Sequence, residues 1–133
     1  MTAALHTCAP PRTRPCVMTG ALILLTLAMS ARLAAHSTLV RSQPPAGATL
    51  TTPPGEIILW FNERLERQFH AVTVTDGQGR TIPTQNPHVD RADPTKLTVA
   101  VEPLPPGVYR VRWQVLSRDG HVAKGAFSFS IQP

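Results

Sequence analysis

Two residues near the C-terminal end of the chain, Asp119 and His121, have types and a spacing that suit metal binding. One residue separates them, so in an extended chain their side chains point to the same side. Gly120 between them lets the backbone bend, so that the carboxylate and the imidazole can converge. Together they can supply an oxygen and a nitrogen to a metal site. Asp-Gly is also an ordinary turn sequence, and a plain turn is the alternative interpretation of this pair.

His36 is the second candidate, because the sequence before it has the order of a secretory signal peptide. Basic residues precede the apolar stretch 21–29, and small residues follow as far as Ala35. The apolar stretch is short for a membrane span, and the order of basic, apolar and small residues is typical of a cleaved leader. We predict that residues 1–35 are a signal peptide and that 36–133 is the mature domain. An uncleaved N-terminal anchor is the alternative.

If His36 begins the mature chain, it carries two donors of its own. Its free α-amine and its imidazole Nδ1 can close a chelate ring on one metal ion. The reference pKa of an α-amine is about 7.7–8.0, so a metal can displace its proton near neutral pH. With Asp119 and His121 the set becomes three nitrogens and one oxygen. Such a set suits tetragonal Cu(II) and, less distinctively, Ni(II) or Zn(II).

Composition excludes several other classes of function. Loss of the leader would remove three arginines and no acids, which lowers the formal net charge from +5 to +2. No cluster of Lys and Arg with interleaved aromatic residues is present, so nucleic-acid binding is unsupported. Both cysteines and all three methionines precede His36. The mature chain therefore has neither a thiolate for a blue-copper site nor a thioether that would favour Cu(I).

The sequence after residue 36 predicts an all-β fold. Short apolar runs alternate with turns rich in Pro and Gly, and no segment is a convincing helix, although 62–67 is either a polar loop or one helical turn. Strands are predicted over 36–41, 56–61, 71–75, 81–82, 97–101, 108–116 and 125–131, with a polar loop over 86–94. The predicted aromatic core is Trp60, Phe61, Trp113, Phe127 and Phe129. About seven short strands indicate a Greek-key β-sandwich, and 98 residues suffice for one modest core.

Several segments resemble the CopC family of periplasmic copper-binding proteins. The segments that carry the resemblance are His36–Pro44, Leu59–Glu63, Leu104–Trp113, Ser117–His121 and the residues Gly125, Phe127 and Phe129. The resemblance covers nearly all of residues 36–133. It implies a cupredoxin-like Greek-key barrel or sandwich in the periplasm, with one Cu(II) ion per chain as its cofactor.

The resemblance also implies which residues bind the metal. The residues that match the family's Cu(II) ligands are His36, Asp119 and His121. Glu63 matches an acid near that site in the family, where it is either a weak ligand or a support for one; an exposed glutamate at a strand end is the alternative. The implied partner is a separate CopD-type inner-membrane protein, since the mature chain has no membrane-spanning segment of its own.

The chain departs from one branch of the family. Some members hold Cu(I) in a methionine-rich loop that also has a histidine. The middle of this chain has no methionine, and His70 and His88 have no sulfur partner. We predict that both histidines lie on the surface and that the protein has no high-affinity Cu(I) site. Transfer from a cuprous to a cupric site is therefore not expected.

Three functions from different classes follow. The first is a periplasmic Cu(II) carrier or buffer in copper resistance or homeostasis, without enzyme activity. The second is an oxidative copper enzyme with a histidine brace, which would need an open position for oxygen; Asp119 as a fourth ligand would fill that position. The third is an Ig-like interaction module that binds no metal.

Overall fold

The structure, a computed structural model, describes residues 37–133. These residues belong to one of the two units into which the chain divides, Ala34–Pro133; the other unit, Met1–Leu33, and His36 lie outside the described residues. The strands are β1 Leu39–Gln43, β2 Thr49–Leu50, β3 Glu56–Phe61, β4 Ala71–Asp76, β5 Thr81–Ile82, β6 Thr84–Val89, β7 Lys96–Val101, β8 Gly107–Leu116 and β9 Val122–Ile131. Across residues 37–133 no helix is formed, and so none that could cross a membrane.

The strands form two sheets, with the order β1-β3-β7-β6 in one and β2-β9-β8-β4-β5 in the other. All pairs are antiparallel except β2 with β9. The chain passes from one sheet to the other between β1 and β2, β2 and β3, β3 and β4, β5 and β6, and β7 and β8. Neighbouring strands are thus often distant in the chain, as in a Greek key. The predicted all-β sandwich is confirmed.

Residues 37–133 form nine strands rather than about seven. The two additional strands, β2 and β6, carry little of the alternation by which a strand is recognised. β2 has two residues, and β6 contains Pro87 within the range predicted as a loop. Pro87 is tolerated because β6 is at the edge of its sheet, and its ladder is interrupted between Gln85 and His88. β1 also differs: it begins at Leu39, later than predicted.

The core lies between the two sheets. It is supplied mainly by alternate residues of β3, β4, β7, β8 and β9, because successive side chains of a strand point to opposite faces. The buried residues are Ile57, Leu59, Phe61, Leu65, Val72, Val74, Val89, Leu97, Val99, Val101, Leu104, Tyr109, Val111, Trp113, Val115, Phe127, Phe129 and Ile131. The predicted core positions Phe61, Trp113, Phe127 and Phe129 are all among them.

Trp60 is an exception to the predicted core. It is only partly buried, since its neighbours Leu59 and Phe61 take the inward positions of β3. The guanidinium carbon of Arg41 lies 3.8 Å from the centre of its ring, and the Lys96 Nζ lies 5.9 Å from it. Trp60 therefore serves as a platform for cations on the outer face of the sheet.

The long β8–β9 hairpin carries the candidate site, and its packing depends on a glycine. Trp113 is directly opposite Gly125 in the ladder, and its ring meets Phe61 edge to face with 5.0 Å between the centroids. A Cβ atom on Gly125 would lie 2.7 Å from Cε2 of Trp113, which is closer than atoms can approach. Gly125 therefore leaves the space that the indole ring fills.

Gly125→Ala should destabilise the fold by about 1–3 kcal/mol, because the added methyl group overpacks the core and displaces Trp113. The matched control is Gly55→Ala, whose new Cβ would meet no heavy atom within 4 Å. The control should leave stability unchanged within about 0.5 kcal/mol or raise it slightly. Chemical denaturation of both variants measures the difference. Equal stability of the two variants would contradict this account of Gly125.

Candidate metal centre

The loop that joins β8 to β9 is a short polar corner held by two backbone hydrogen bonds. The Ser117 amide donates to the carbonyl of His121 at 2.9 Å, and the Gly120 amide donates to the carbonyl of Ser117 at 2.9 Å. Gly120 has a φ of +89°, a left-handed conformation that favours glycine. The backbone of the corner is thus fixed by the hairpin that carries it.

The corner brings Asp119 and His121 into contact. One carboxylate oxygen of Asp119, Oδ2, lies 3.0 Å from Nδ1 of His121, and the other, Oδ1, accepts the backbone amide of His121 at 3.1 Å. The side chains of His121 and Asp119 are 53% and 40% exposed, so a metal ion could reach both from solvent. Convergence of the two heads is what the Asp-Gly-His spacing predicts.

The electrostatic state of Asp119 suits a cation. The backbone amide of His121, and then its side chain, hold the pKa of the Asp119 carboxyl below its ordinary value of 3.8. The carboxylate is therefore charged at neutral pH. When Nδ1 of a neutral His121 donates to this carboxylate, its Nε2 carries the lone pair that metal ligation requires.

The beginning of the described chain is attached beside this corner. The hydroxyl groups of Ser37 and Ser117 form a hydrogen bond, and both residues are buried, at 4% and 1% exposure. The Thr38 amide donates to Oδ1 of Asn62 at 2.6 Å, and the Asn62 amide donates to the carbonyl of Thr38 at 3.1 Å. Residues 37 and 38 are therefore held at the ends of β3 and β8.

Sequence reasoning missed these attachments. Two serines and one asparagine in polar segments give no pattern that marks them as partners 80 or 24 residues apart. The only signal was position, since Ser37 directly follows one predicted ligand and Ser117 precedes Asp119 by two residues. His36 itself lies outside the described residues.

Glu63 lies in the partly exposed segment after β3, close in sequence to residues that pair with the corner. The Arg118 amide donates to the carbonyl of Arg64 at 3.0 Å, and Leu65 forms an isolated bridge with Ser117. Within residues 37–133, no three or more His, Cys, Asp or Glu side chains are grouped so that they could hold a metal ion. The structure thus joins Asp119 with His121 and does not add Glu63 to them as a third member.

The two other histidines of residues 37–133 form hydrogen bonds away from the corner. His88 is exposed, as predicted, and its Nδ1 is 2.9 Å from the carbonyl of Asn86. His70 is half-buried rather than on the surface, because its ring packs against β6, with Nε2 at 3.0 Å from the carbonyl of Pro87. Neither belongs to the corner.

The family model described as the CopC domain matches residues 39–132. The chain belongs to the CopC family.

CopC relatives in several bacteria are similar to most of this chain. Protein YobA of Escherichia coli K12 is 34% identical over 111 residues, which are 83% of this chain and 90% of that protein. Copper resistance protein C of Xanthomonas campestris pv. juglandis is 36% identical over 109 residues, covering 77% of this chain and 85% of the relative. Copper transport protein CutJ of Bacillus subtilis is 33% identical over 98 residues, and the match spans only 18% of that longer protein.

Solved CopC structures have the same fold. The crystal structure of CopC from Methylosinus trichosporium OB3b aligns with a TM-score of 0.70 at 28% identity, over 74% of this chain and 95% of that one. PcoC from Escherichia coli, described as a methionine-rich copper resistance protein, aligns with a TM-score of 0.65 at 30% identity, over 74% of this chain and all of that one (100%).

The pKa of Asp119 provides a direct test of the corner. A titration followed by NMR at the Asp119 carboxyl carbon should have its midpoint below 3.8. In His121→Ala the backbone donor remains and the ring donor is lost, so the midpoint should rise toward 3.8 without reaching it. Because folding lowers this pKa, the ionised Asp119 carboxylate stabilises the folded state fully at pH values above its ordinary pKa. This stabilisation is lost as the pH falls through the lowered pKa. A midpoint at or above 3.8 in the unmodified protein would contradict the geometry.

Proposed function

We propose that this protein binds one Cu(II) ion per chain at the Asp119–His121 corner and acts as a periplasmic copper carrier or buffer in copper resistance or homeostasis. The observation that carries the proposal is the attachment of Ser37 to Ser117. This contact holds the residue after His36 beside the residue that begins the corner. The names of the relatives, copper resistance protein C and copper transport protein, support copper as the metal.

The attachment matters because one residue spans only a short distance along the backbone. Consecutive Cα atoms are about 3.8 Å apart, so the backbone of His36 begins within one such step of Ser37. The position of Ser37 therefore supports His36 as the residue that would add its α-amine and imidazole to Asp119 and His121. We assign these three residues as the ligands, and signal-peptide cleavage after Ala35 as the step that frees the amine.

The types of donor atom in the proposed site favour a particular metal ion. An amine, two imidazoles and a carboxylate favour tetragonal Cu(II). PcoC is described as methionine-rich, whereas this chain has no methionine or cysteine after Met29. Its copper chemistry is accordingly assigned to the cupric state alone, without a high-affinity Cu(I) site. Glu63 remains a predicted weak ligand or support.

The same donor set favours a carrier over an enzyme. The amine and imidazole of His36, the carboxylate of Asp119 and the imidazole of His121 would supply four donors to Cu(II), and a site filled in this way would leave no open position for oxygen. The corner is also exposed, which suits exchange of the ion with a partner. A CopD-type inner-membrane protein is the partner that the family resemblance predicts.

Isothermal titration of the mature protein, which starts at His36, should show tight equimolar binding of Cu(II). A variant with one alanine placed before His36 should bind far more weakly, because the α-amine becomes an amide. Mass spectrometry of the exported protein provides the control, since it shows whether His36 is the first residue. Undiminished affinity in the extended variant would remove the amine from the site, and no tight binding by either form would overturn the proposed function.

Substitution of a metal ligand and substitution of a core residue should have opposite effects on the stability of the metal-free protein and on stabilisation by Cu(II). His121→Ala should change the stability of the metal-free protein by no more than about 0.5–1 kcal/mol, because the side chain is exposed. It should abolish most of the stabilisation by Cu(II), which follows RT ln(1 + [L]/Kd). Trp113→Ala should cost about 3–5 kcal/mol in the metal-free protein while the ligands remain. Thermal melts with and without Cu(II) compare the two; equal loss in the metal-free state would make His121 a structural residue.

The attachment of Ser37 can be tested without changing a ligand. Ser117→Ala removes the hydroxyl partner of Ser37 and should weaken Cu(II) binding about tenfold, because the loss of a buried hydrogen bond costs about 1–3 kcal/mol. Ser130→Ala is the control for the substitution itself: it breaks an exposed hydroxyl pair, with Thr49 at 3.0 Å, between β2 and β9 and away from the corner. Cu(II) affinity should be unchanged in the control. Equal affinity in both variants would show that the attachment does not position the site.

A further inference from the structure

Beside the corner lies a groove of about 990 Å³ that contains none of the proposed copper ligands among its lining residues. We call it the arginine groove and define it by Arg64, Arg67, Phe69, Arg91 and Arg118, which are among the residues that line it. We infer that the arginine groove binds an acidic segment of a partner protein, with an apolar side chain of that segment placed against Phe69.

The first observation is the concentration of positive charge. Residues 37–133 contain ten Lys and Arg and eight Asp and Glu, so the domain as a whole is nearly balanced. Four of those ten cations line this one groove, and Glu66 is the only carboxylate among its lining residues. A concave surface of one sign attracts the opposite charge and steers its approach.

The second observation is that these cations are poorly neutralised within the described chain. Arg118 Nε lies 3.9 Å from Oε1 of Glu66, with the two side chains 62% and 46% exposed, so the pair is weak and screened by salt. For Arg64, Arg67 and Arg91, no described carboxylate approaches within 4.0 Å. The backbones of Arg64 and Arg118 are adjacent, joined by a hydrogen bond of 3.0 Å. An acidic partner would neutralise positive charge that the described residues leave largely unpaired.

The carboxylates near the groove already accept hydrogen bonds within their own turns. Oδ1 of Asp90 accepts the amides of Ala92 and Asp93 at 2.7 and 3.0 Å, and Oδ2 of Asp90 faces Lys96 at 3.8 Å. Asp93 accepts the hydroxyl of Thr95 at 2.6 Å. The carboxylate of Asp119 is bound to the amide and ring of His121. Among the described residues, none of these carboxylates lies within 4.0 Å of a groove arginine.

The third observation is Phe69, which is 73% exposed with a φ of +62°. A left-handed conformation is unfavourable for a bulky residue, and the exposed ring gains little from burial that could offset this cost. Exposed aromatic rings beside arginines are typical of the centres of protein interfaces. The groove therefore offers an apolar contact among cations, which a mixed acidic and apolar segment would match.

The shape of the surface favours a protein segment over a membrane. A groove with Leu65 and Leu116 among its lining residues can enclose an extended chain, whereas a lipid surface would meet only its rims. Gly120 also lines the groove, so a bound segment would lie next to the metal corner. The inference is independent of copper, because every residue it uses is outside the proposed ligand set.

The test uses the mature protein and a fluorescent peptide of Glu-Asp-Leu repeats, with a Gln-Asn-Leu peptide as the neutral control. Fluorescence anisotropy should show saturable binding of the acidic peptide, at least about tenfold tighter than that of the neutral one. The groove variant Arg67→Gln/Arg91→Gln should lose at least about tenfold in affinity. The matched variant Arg110→Gln/Arg112→Gln removes the same charge from the exposed face of β8, and it should lose less than about threefold. Phe69→Ser should weaken binding at constant charge.

Several outcomes would overturn the inference. These are no binding of the acidic peptide, equal binding of the neutral peptide, and equal losses in the two arginine variants. Binding of anionic lipid vesicles that depends on Arg67 and Arg91, without peptide binding, would assign the surface to a membrane instead. Titration with Cu(II) separates this result from the proposed function: the groove variant should keep its Cu(II) affinity, and peptide binding should persist even if the protein binds no copper.

Discussion

The hydrogen bond between the buried hydroxyls of Ser37 and Ser117 is the contact on which the candidate site depends most. It joins two parts of the chain that are 80 residues apart in sequence. With the proposed cleavage after Ala35, His36 would be the first residue of the mature chain. A chain terminus is ordinarily free to move, and a ligand carried there would lose much of its binding energy in becoming ordered. This contact, with the Thr38–Asn62 pair beside it, restricts the chain in advance. A binding site that uses a chain terminus gains affinity from such preorganisation.

The corner itself is as rigid as the hairpin that presents it. β8 and β9 pair over their full ten-residue lengths, with Trp113 packed over Gly125 near the end that bears the loop. The aromatic core is therefore close to Asp119 and His121 without containing them. This separation allows the two side chains to be exposed to an incoming ion while the backbone beneath them is fixed by apolar packing.

Charge is distributed so that the corner and its surroundings have different roles. Asp119 provides negative charge at the corner, and arginines line the groove that begins at Gly120. A cation binding at the corner would be held by ligands rather than attracted by the general field of this surface. The adjacent arginines would instead attract an anionic partner to the edge of the metal centre. Substitutions could then change metal binding at the corner and partner binding at the arginine groove independently.

The sequence by itself determined the fold class, most strands and the contact of Asp119 with His121. These features depend on local patterns: alternation along strands, turn residues, and a spacing of two residues around Gly120. Tertiary structure alone decided the rest. The exposure of Trp60 follows from its place on β3, and the strand β6 exists despite Pro87 because it lies at a sheet edge. Residues from separate segments also meet at the attachments of Ser37 and Thr38 and in the arginine groove. Polar pairs at such separations leave no periodic signal in the sequence, because only the packing of the two sheets brings them into contact.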